Sequence, residues 1–297
     1  LPVFMKGVFE MDVTKAITGE LYEMLQKESG LYLLNLPTGA SKTYSMYQAI
    51  AQYLCADDGK SKRPILFLTP QKKNLKQDSQ KETYLKAFHG PRQKAEASFK
   101  ADFLFLDNKR SYLDRYLMDQ GKEADRFRKS LPESIRRSKA YGELKAAHLP
   151  AKMGAESDAV KYYFCHAAHG EKVQQELAKC EKMFRYLVRQ TVFQMLSGST
   201  EDEMGEHDRG RQGQYLYEHI NEIPERCPWA VKLYPGTIVP TKRLVFLSFD
   251  KFLSGNVSLI PGMSDFMEVF GGTKPIIIID EYDILNNSVQ ENVNKEV

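Results

Sequence analysis

Apolar residues at Ile17, Leu21, Met24 and Leu25 recur at helical spacing between residues 13 and 27, which predicts an amphipathic helix capped by Thr14 and stopped at Ser29-Gly30. The pattern then changes. Leu31-Tyr32-Leu33-Leu34-Asn35-Leu36 is an almost continuous apolar run, as expected of a strand covered on both faces in a parallel sheet. A loop over residues 37–41 leads to a second helical repeat, with Tyr44, Tyr47, Ile50, Ala51 and Leu54 spaced along residues 42–56. Strand, short loop, helix is half of a βαβ unit. A polar turn precedes a second buried strand, Pro64-Ile65-Leu66-Phe67-Leu68-Thr69, which Pro70 ends. Two more such runs come late, at residues 243–248 and 274–279.

Between them the character differs. From about residue 71 to 217 charges are dense and apolar residues follow helical spacing, with one short strand candidate at Phe103-Leu104-Phe105-Leu106. Residues 197–214 are polar and glycine-containing, which predicts a mobile loop. This division predicts an α/β domain over residues 1–85 and 236–297 and a mainly helical insertion over residues 86–235. A hydrophobic content of 42% and a charged content of 27% fit a folded globular chain of 297 residues. The net charge of +3 is too mild to decide on a polyanionic partner. Four cysteines with no CxxC pair argue for a reducing, cytoplasmic setting, and no apolar run reaches the roughly 18–20 residues that a membrane helix needs.

Two segments carry candidate chemistry. Leu36-Pro37-Thr38-Gly39-Ala40-Ser41-Lys42-Thr43 lies between a buried strand and a helix, where backbone N–H groups at the helix start can cradle phosphates. Lys42 is placed to reach β- and γ-phosphates and Thr43 to offer a hydroxyl to Mg²⁺. Leu36 and Ser41 stand where the strict GxxxxGK[ST] pattern has glycines. The second segment, Ile276-Ile277-Ile278-Ile279-Asp280-Glu281-Tyr282-Asp283, puts adjacent carboxylates at the carboxyl end of a strand, the end at which open α/β sheets bind ligands. Asp280 would join the Mg²⁺ shell and Glu281 would orient and deprotonate the attacking water.

With these motifs the chain resembles the first RecA-like domain of superfamily 2 helicases and translocases, the DEAD/DEAH-like ATPases. Residues 37–43 are similar to that family's motif I and Asp280-Glu281-Tyr282-Asp283 to its DExD motif II. Ile65-Leu66-Phe67-Leu68-Thr69-Pro70 is similar to motif Ia, and Leu244 through Leu253 to the segment before motif II, with Ser248-Phe249 in place of Thr-Pro. The resemblance implies a P-loop NTPase with a parallel sheet flanked by helices. It also implies ATP and Mg²⁺ as cofactors, with Thr38, Gly39, Ala40, Ser41, Lys42 and Thr43 around the phosphates and Thr43 and Asp280 on the metal. Lys42, Asp280 and Glu281 would serve hydrolysis, while Thr69, Pro70 and Lys251 would face the backbone of a DNA or RNA partner. The family's second RecA-like domain does not follow within residues 284–297, so the chain is expected to be an N-terminal fragment, incomplete at its carboxyl end and inactive without that domain.

The insertion has its own alternatives. Arg126, Arg128, Lys129, Arg136, Arg137 and Lys139, with Tyr112, Tyr116 and Tyr141 nearby, form either a nucleic-acid-guiding surface or a solvated helix face balanced by Glu123, Asp125, Glu133 and Glu143. Cys165, Cys180 and Cys227 lie where some helicases of that superfamily carry an iron–sulfur cluster, but the fourth cysteine, Cys55, lies on the predicted helix after the phosphate loop and zinc-ligand spacing is missing, so no cluster or zinc is expected. A second reading of the whole chain is a catalytically weak nucleotide-binding scaffold, with Ser41 slowing turnover and the insertion serving protein contacts.

Overall fold

The computed structural model describes residues 3–32, 42–57, 59, 61–69, 77–88, 90–107, 109–156, 167–198 and 209–280. Their contacts divide the chain into two units. One comprises Leu1–Leu106, Lys242–Ser254 and Phe270–Val297, and the other Asp107–Thr241 and Gly255–Val269.

The first unit opens with helix α1 (Val3–Gln26), longer than the periodicity predicts because residues 3–13 contain no proline to stop it. Thr14 is therefore interior, not a cap, and its carbonyl accepts from Thr18 Oγ1 at 2.8 Å. Ile17, Leu21 and Leu25 are buried in one cluster with Ala49, Ile50 and Leu54 of helix α2 (Lys42–Cys55), as the three- and four-residue spacing requires. The first two residues of the expected strand at 31–36 depart from expectation. Leu31 and Tyr32 are exposed and lie in no strand, while residues 33–36 fall outside the described residues.

Four strands, β1 (Ile65–Thr69), β2 (Phe103–Leu106), β3 (Leu244–Ser248) and β4 (Ile276–Ile279), form one sheet in the order β2-β3-β1-β4. Every pairing is parallel, with Phe67 opposite Phe246 and Ile278. Each residue of β1 and β3 is buried, whereas β2 and β4 are partly exposed. That difference explains why the central strands read as unbroken apolar runs. Helix α3 (Gln77–Ala87) and helix α4 (Arg92–Asp102) belong with the sheet, although the sequence suggests that the insertion begins at residue 86. Aromatic packing accounts for this: Phe99 stacks on Phe103 at 4.1 Å, and Tyr84 meets Phe103 edge-on at 4.7 Å.

Cationic side chains pin the amino edge of the sheet. The Arg63 guanidinium donates to the carbonyls of Glu28 at 2.7 Å, Lys27 at 3.2 Å, Lys274 at 2.9 Å and Pro275 at 3.3 Å. Arg243 donates from Nε and Nη2 to the Asp102 carboxylate at 2.8 and 2.5 Å, and from Nη1 to the Leu54 carbonyl at 2.9 Å. The chain ends that enter β1, β3 and β4 are thereby tied to α1, α2 and α4.

The second unit is helical. Its long helix, Ala167–Ser197, buries Leu177, Phe184, Val188, Val192 and Leu196 in a core shared with Lys122–Ser130, Lys139–Glu156, Arg209–Glu218 and Pro228–Leu233. The expected loop at 197–214 is helical from Arg209 onward, with Gln212 and Gly213 buried; residues 199–208 are not described. Gly213 has a packing reason to be glycine, because a Cβ there would meet Pro261 Cδ at 2.9 Å. Residues 255–269 join this unit through Asn256, whose Nδ2 donates to the carbonyls of Gly236 and Met263, each at 2.9 Å.

Candidate functional site

The strands end together at their carboxyl edge. Thr69 closes β1, Ser248 closes β3, and Asp280 follows β4 directly, its N–H donating to the Leu68 carbonyl at 2.9 Å. Helix α2 begins at Lys42, so its first N–H groups and the positive end of its dipole lie beside Lys42 and Thr43. The Thr43 hydroxyl lies 3.4 Å from both carboxylate oxygens of Asp280, although the two residues are 237 positions apart. That distance is long for an O–H···O bond, so the contact is a loose, bifurcated donation.

The same spacing bears on a cation. Ligand oxygens around Mg²⁺ sit at about 2.0–2.1 Å from the ion, so adjacent ones stand about 2.9 Å apart. The Thr43 and Asp280 oxygens are within about half an ångström of that separation, and hydroxyl with carboxylate is the hard donor set Mg²⁺ prefers. The pair therefore fits the ion. Among the described residues no group of three or more His, Cys, Asp or Glu side chains gathers as a metal site.

The other expected site residues are distributed differently. Lys42 is exposed at the start of α2. Thr69 and Lys251 are buried, at 1% and 8% exposure, so neither side chain faces solvent. Thr38, Gly39, Ala40, Ser41, Pro70 and Glu281 lie outside the described residues. Ser248 is an N-cap: its Oγ accepts from the Lys251 N–H at 3.2 Å and starts the short helix Phe249–Leu253.

Two residues that periodicity hides lie on α2 and α3 and pair with each other. Tyr47 packs its ring on Phe67 and Phe246 and accepts a hydrogen bond from Gln80 Nε2 at 2.9 Å. Burial pushes the Tyr47 phenol up, the Gln80 bond opposes that, and the Asp280 charge adds to the rise. In the sequence Tyr47 counts only as one apolar-face residue of α2. Its place four residues after Thr43 is the available signal.

In the helical unit the tyrosines that one of the two readings would stack on bases are used otherwise. Tyr141 is buried, Tyr116 packs on Phe127 at 4.8 Å, and Tyr112 accepts from the Asp107 N–H at 2.7 Å. Arg128 pairs with Asp125, Arg137 with Glu133 at 2.5 Å, and Lys139 with Glu143 at 3.5 Å. These observations favour the balanced helix face. Cys227 is fully buried, 3.9 Å from Met195 Sδ, and burial pushes its thiol up to about 11. Cys180 is half-buried, and Cys165 is outside the described residues.

Among the described residues no helix is long and apolar enough to cross a membrane. Compared against models of known protein families, the chain matches none, and no curated protein is significantly similar to it.

Proposed function

We propose that the carboxyl edge of this sheet binds Mg²⁺-ATP and that the protein is an ATP-dependent helicase or translocase on DNA or RNA, built on a RecA-like core. The supporting observation is the convergence of Thr43, at the start of α2, on Asp280, at the tip of β4. An exposed lysine at the same helix start and a sheet with all strands parallel accord with it. Thr43 and Asp280 would hold the metal, and residues 38–42 would bind the phosphates through backbone N–H groups and the Lys42 ammonium. Held by Thr43 and Asp280, Mg²⁺ would supply positive charge to offset the negative charge that develops on the phosphates. Glu281 would take the proton of the water whose oxygen attacks the γ-phosphorus, with ADP leaving.

ATPase activity of the full-length protein, with and without single-stranded DNA and RNA, tests the reading. Stimulation by one polymer is expected, together with a loss on the order of 10²-fold in Lys42→Ala and Asp280→Asn. Mg²⁺-ATP binding without turnover on any polymer would refute the motor and leave the nucleotide-binding scaffold.

A further inference from the structure

We propose that the ring of Tyr44 is the platform on which the base of the bound nucleotide stacks, so that the site takes purine nucleoside triphosphates as a class. This rests on the nucleotide-site reading above and adds a residue which that reading does not use.

Thr43 and Tyr44 are consecutive in the first turn of α2, about 100° apart around its axis. Thr43 faces Asp280 at the tip of β4. Tyr44 therefore leaves the helix start on another side, and its polar contacts show which. Its oxygen accepts from Gln48 Nε2 at 2.8 Å, and Gln48 Oε1 lies 3.5 Å from Thr18 Oγ1 of α1. The ring thus stands on the flank of α2 that turns toward α1. The two helices run in the same direction, since Arg63 holds the Lys27 carbonyl just past the end of α1, and Arg243 the Leu54 carbonyl at the end of α2, both at the amino edge. Tyr44 is accordingly at the carboxyl edge, and α1 runs on past its level to Val3.

The ring is open to a ligand. Tyr44 is 45% exposed, at a helical position where alanine, lysine or glutamate would favour the helix more. The other aromatic ring of this unit that is comparably open, among the described residues, is Tyr32 at 43%, and it lies at the opposite edge. Its hydroxyl donates to the Ser29 carbonyl at 3.3 Å, and the Lys27 ammonium lies 5.1 Å from its ring. Gln48 fixes the Tyr44 hydroxyl, so the ring is held before a ligand arrives and little side-chain freedom is lost when a base stacks on it. In the nucleotide-site reading the γ-phosphate end faces Asp280, so the sugar and base leave the helix start on another side. The side chain that follows Thr43 around the helix is the aromatic surface available there. Stacking uses the face of a base and does not separate adenine from guanine, whereas the larger overlap of a two-ring base favours purines over pyrimidines.

The test is calorimetric titration of the full chain with Mg²⁺-ATP, Mg²⁺-UTP and Mg²⁺-tripolyphosphate, the last being the phosphate chain without sugar or base. The proteins are the wild type, Tyr44→Ala and Tyr44→Phe, with thermal unfolding in parallel. The wild type is expected to bind ATP more tightly than UTP. Tyr44→Ala should weaken ATP about five- to 100-fold and leave tripolyphosphate unchanged, while Tyr44→Phe keeps the ring and should retain ATP affinity. Unchanged ATP affinity in folded Tyr44→Ala, or an equal loss for ATP and tripolyphosphate, overturns the inference while the site reading stands. Wild-type affinity for UTP equal to that for ATP does the same. A wild type that binds neither ATP nor tripolyphosphate overturns the site reading and this inference together. Should Tyr44→Ala prove unstable, Tyr44→Leu keeps apolar bulk without the π-face and carries the same expectations.

Discussion

Replacing Asp102 by Asn removes a charge at nearly constant volume, at a point where three elements of the sheet unit meet. The Asp102 carboxylate accepts from Arg243 Nε at 2.8 Å, Arg243 Nη2 at 2.5 Å and Ser98 Oγ at 2.7 Å. The Arg243 main chain also donates to the Asp102 carbonyl at 2.9 Å, joining the end of α4 to the entry of β3. Breaking a fully buried ion pair from one side costs about 3–5 kcal/mol. Here the Asp102 side chain is 15% exposed and that of Arg243 35%, so solvent screens part of the loss. Arg243 also keeps its bond to Leu54, and an Asn oxygen can still accept once. The expected destabilisation is therefore about 1.5–3 kcal/mol. Urea unfolding followed by far-UV circular dichroism measures it, and fluorescence of the single tryptophan, Trp229, reports the helical unit as an internal control. The circular dichroism midpoint should fall more than the fluorescence midpoint. A double-mutant cycle with Arg243→Met should give a coupling energy above about 1 kcal/mol. A loss under about 0.5 kcal/mol, or full additivity in the cycle, would show that backbone pairing alone holds the amino edge.

Three further outcomes are expected. Gly236→Ala should destabilise the helical unit by about 3 kcal/mol in Trp229-monitored urea unfolding, because its Cβ would fall 2.1 Å from Asn256 Oδ1 and 2.5 Å from the Val257 carbonyl oxygen. Stability should fall as the pH rises from 9 to about 11: the unfolded Cys227 thiol ionises from 9.0, whereas the folded one holds its proton until about 11. The loss is about 2–3 kcal/mol, and Cys227→Ala should remove that part of the alkaline decline in urea midpoints. Thr43→Val should raise the Mg²⁺ requirement for nucleotide binding about tenfold while Thr43→Ser restores it; equal binding by both would remove the hydroxyl from the metal site.

The central strands were legible for a physical reason. β1 and β3 are covered on both faces, so every residue of Ile65–Thr69 and Leu244–Ser248 is under the same demand, and the pattern survives without knowledge of partners. The position of β2 was not. Phe103-Leu104-Phe105-Leu106 is visible as a run, but its assignment to the sheet unit depends on Phe99, Tyr84 and Phe246, and ring packing across distant segments leaves no periodic trace. Residues 255–269 were misplaced for a similar reason, since their membership of the helical unit turns on Asn256 bonding and on Arg189 Nε donating to the Leu259 carbonyl at 2.6 Å. The same division applies to the site. The residue types at Lys42, Thr43 and Asp280 suggest a chemistry, while the meeting of Thr43 with Asp280 depends on the register in which β4 pairs with β1. Parallel pairing sends all four strand ends to one edge, and arginines fasten the opposite edge to the helices. Arg63 and Arg243 thus hold the amino edge by short hydrogen bonds, whereas the side-chain contact at the carboxyl edge, Thr43 to Asp280, is a loose 3.4 Å.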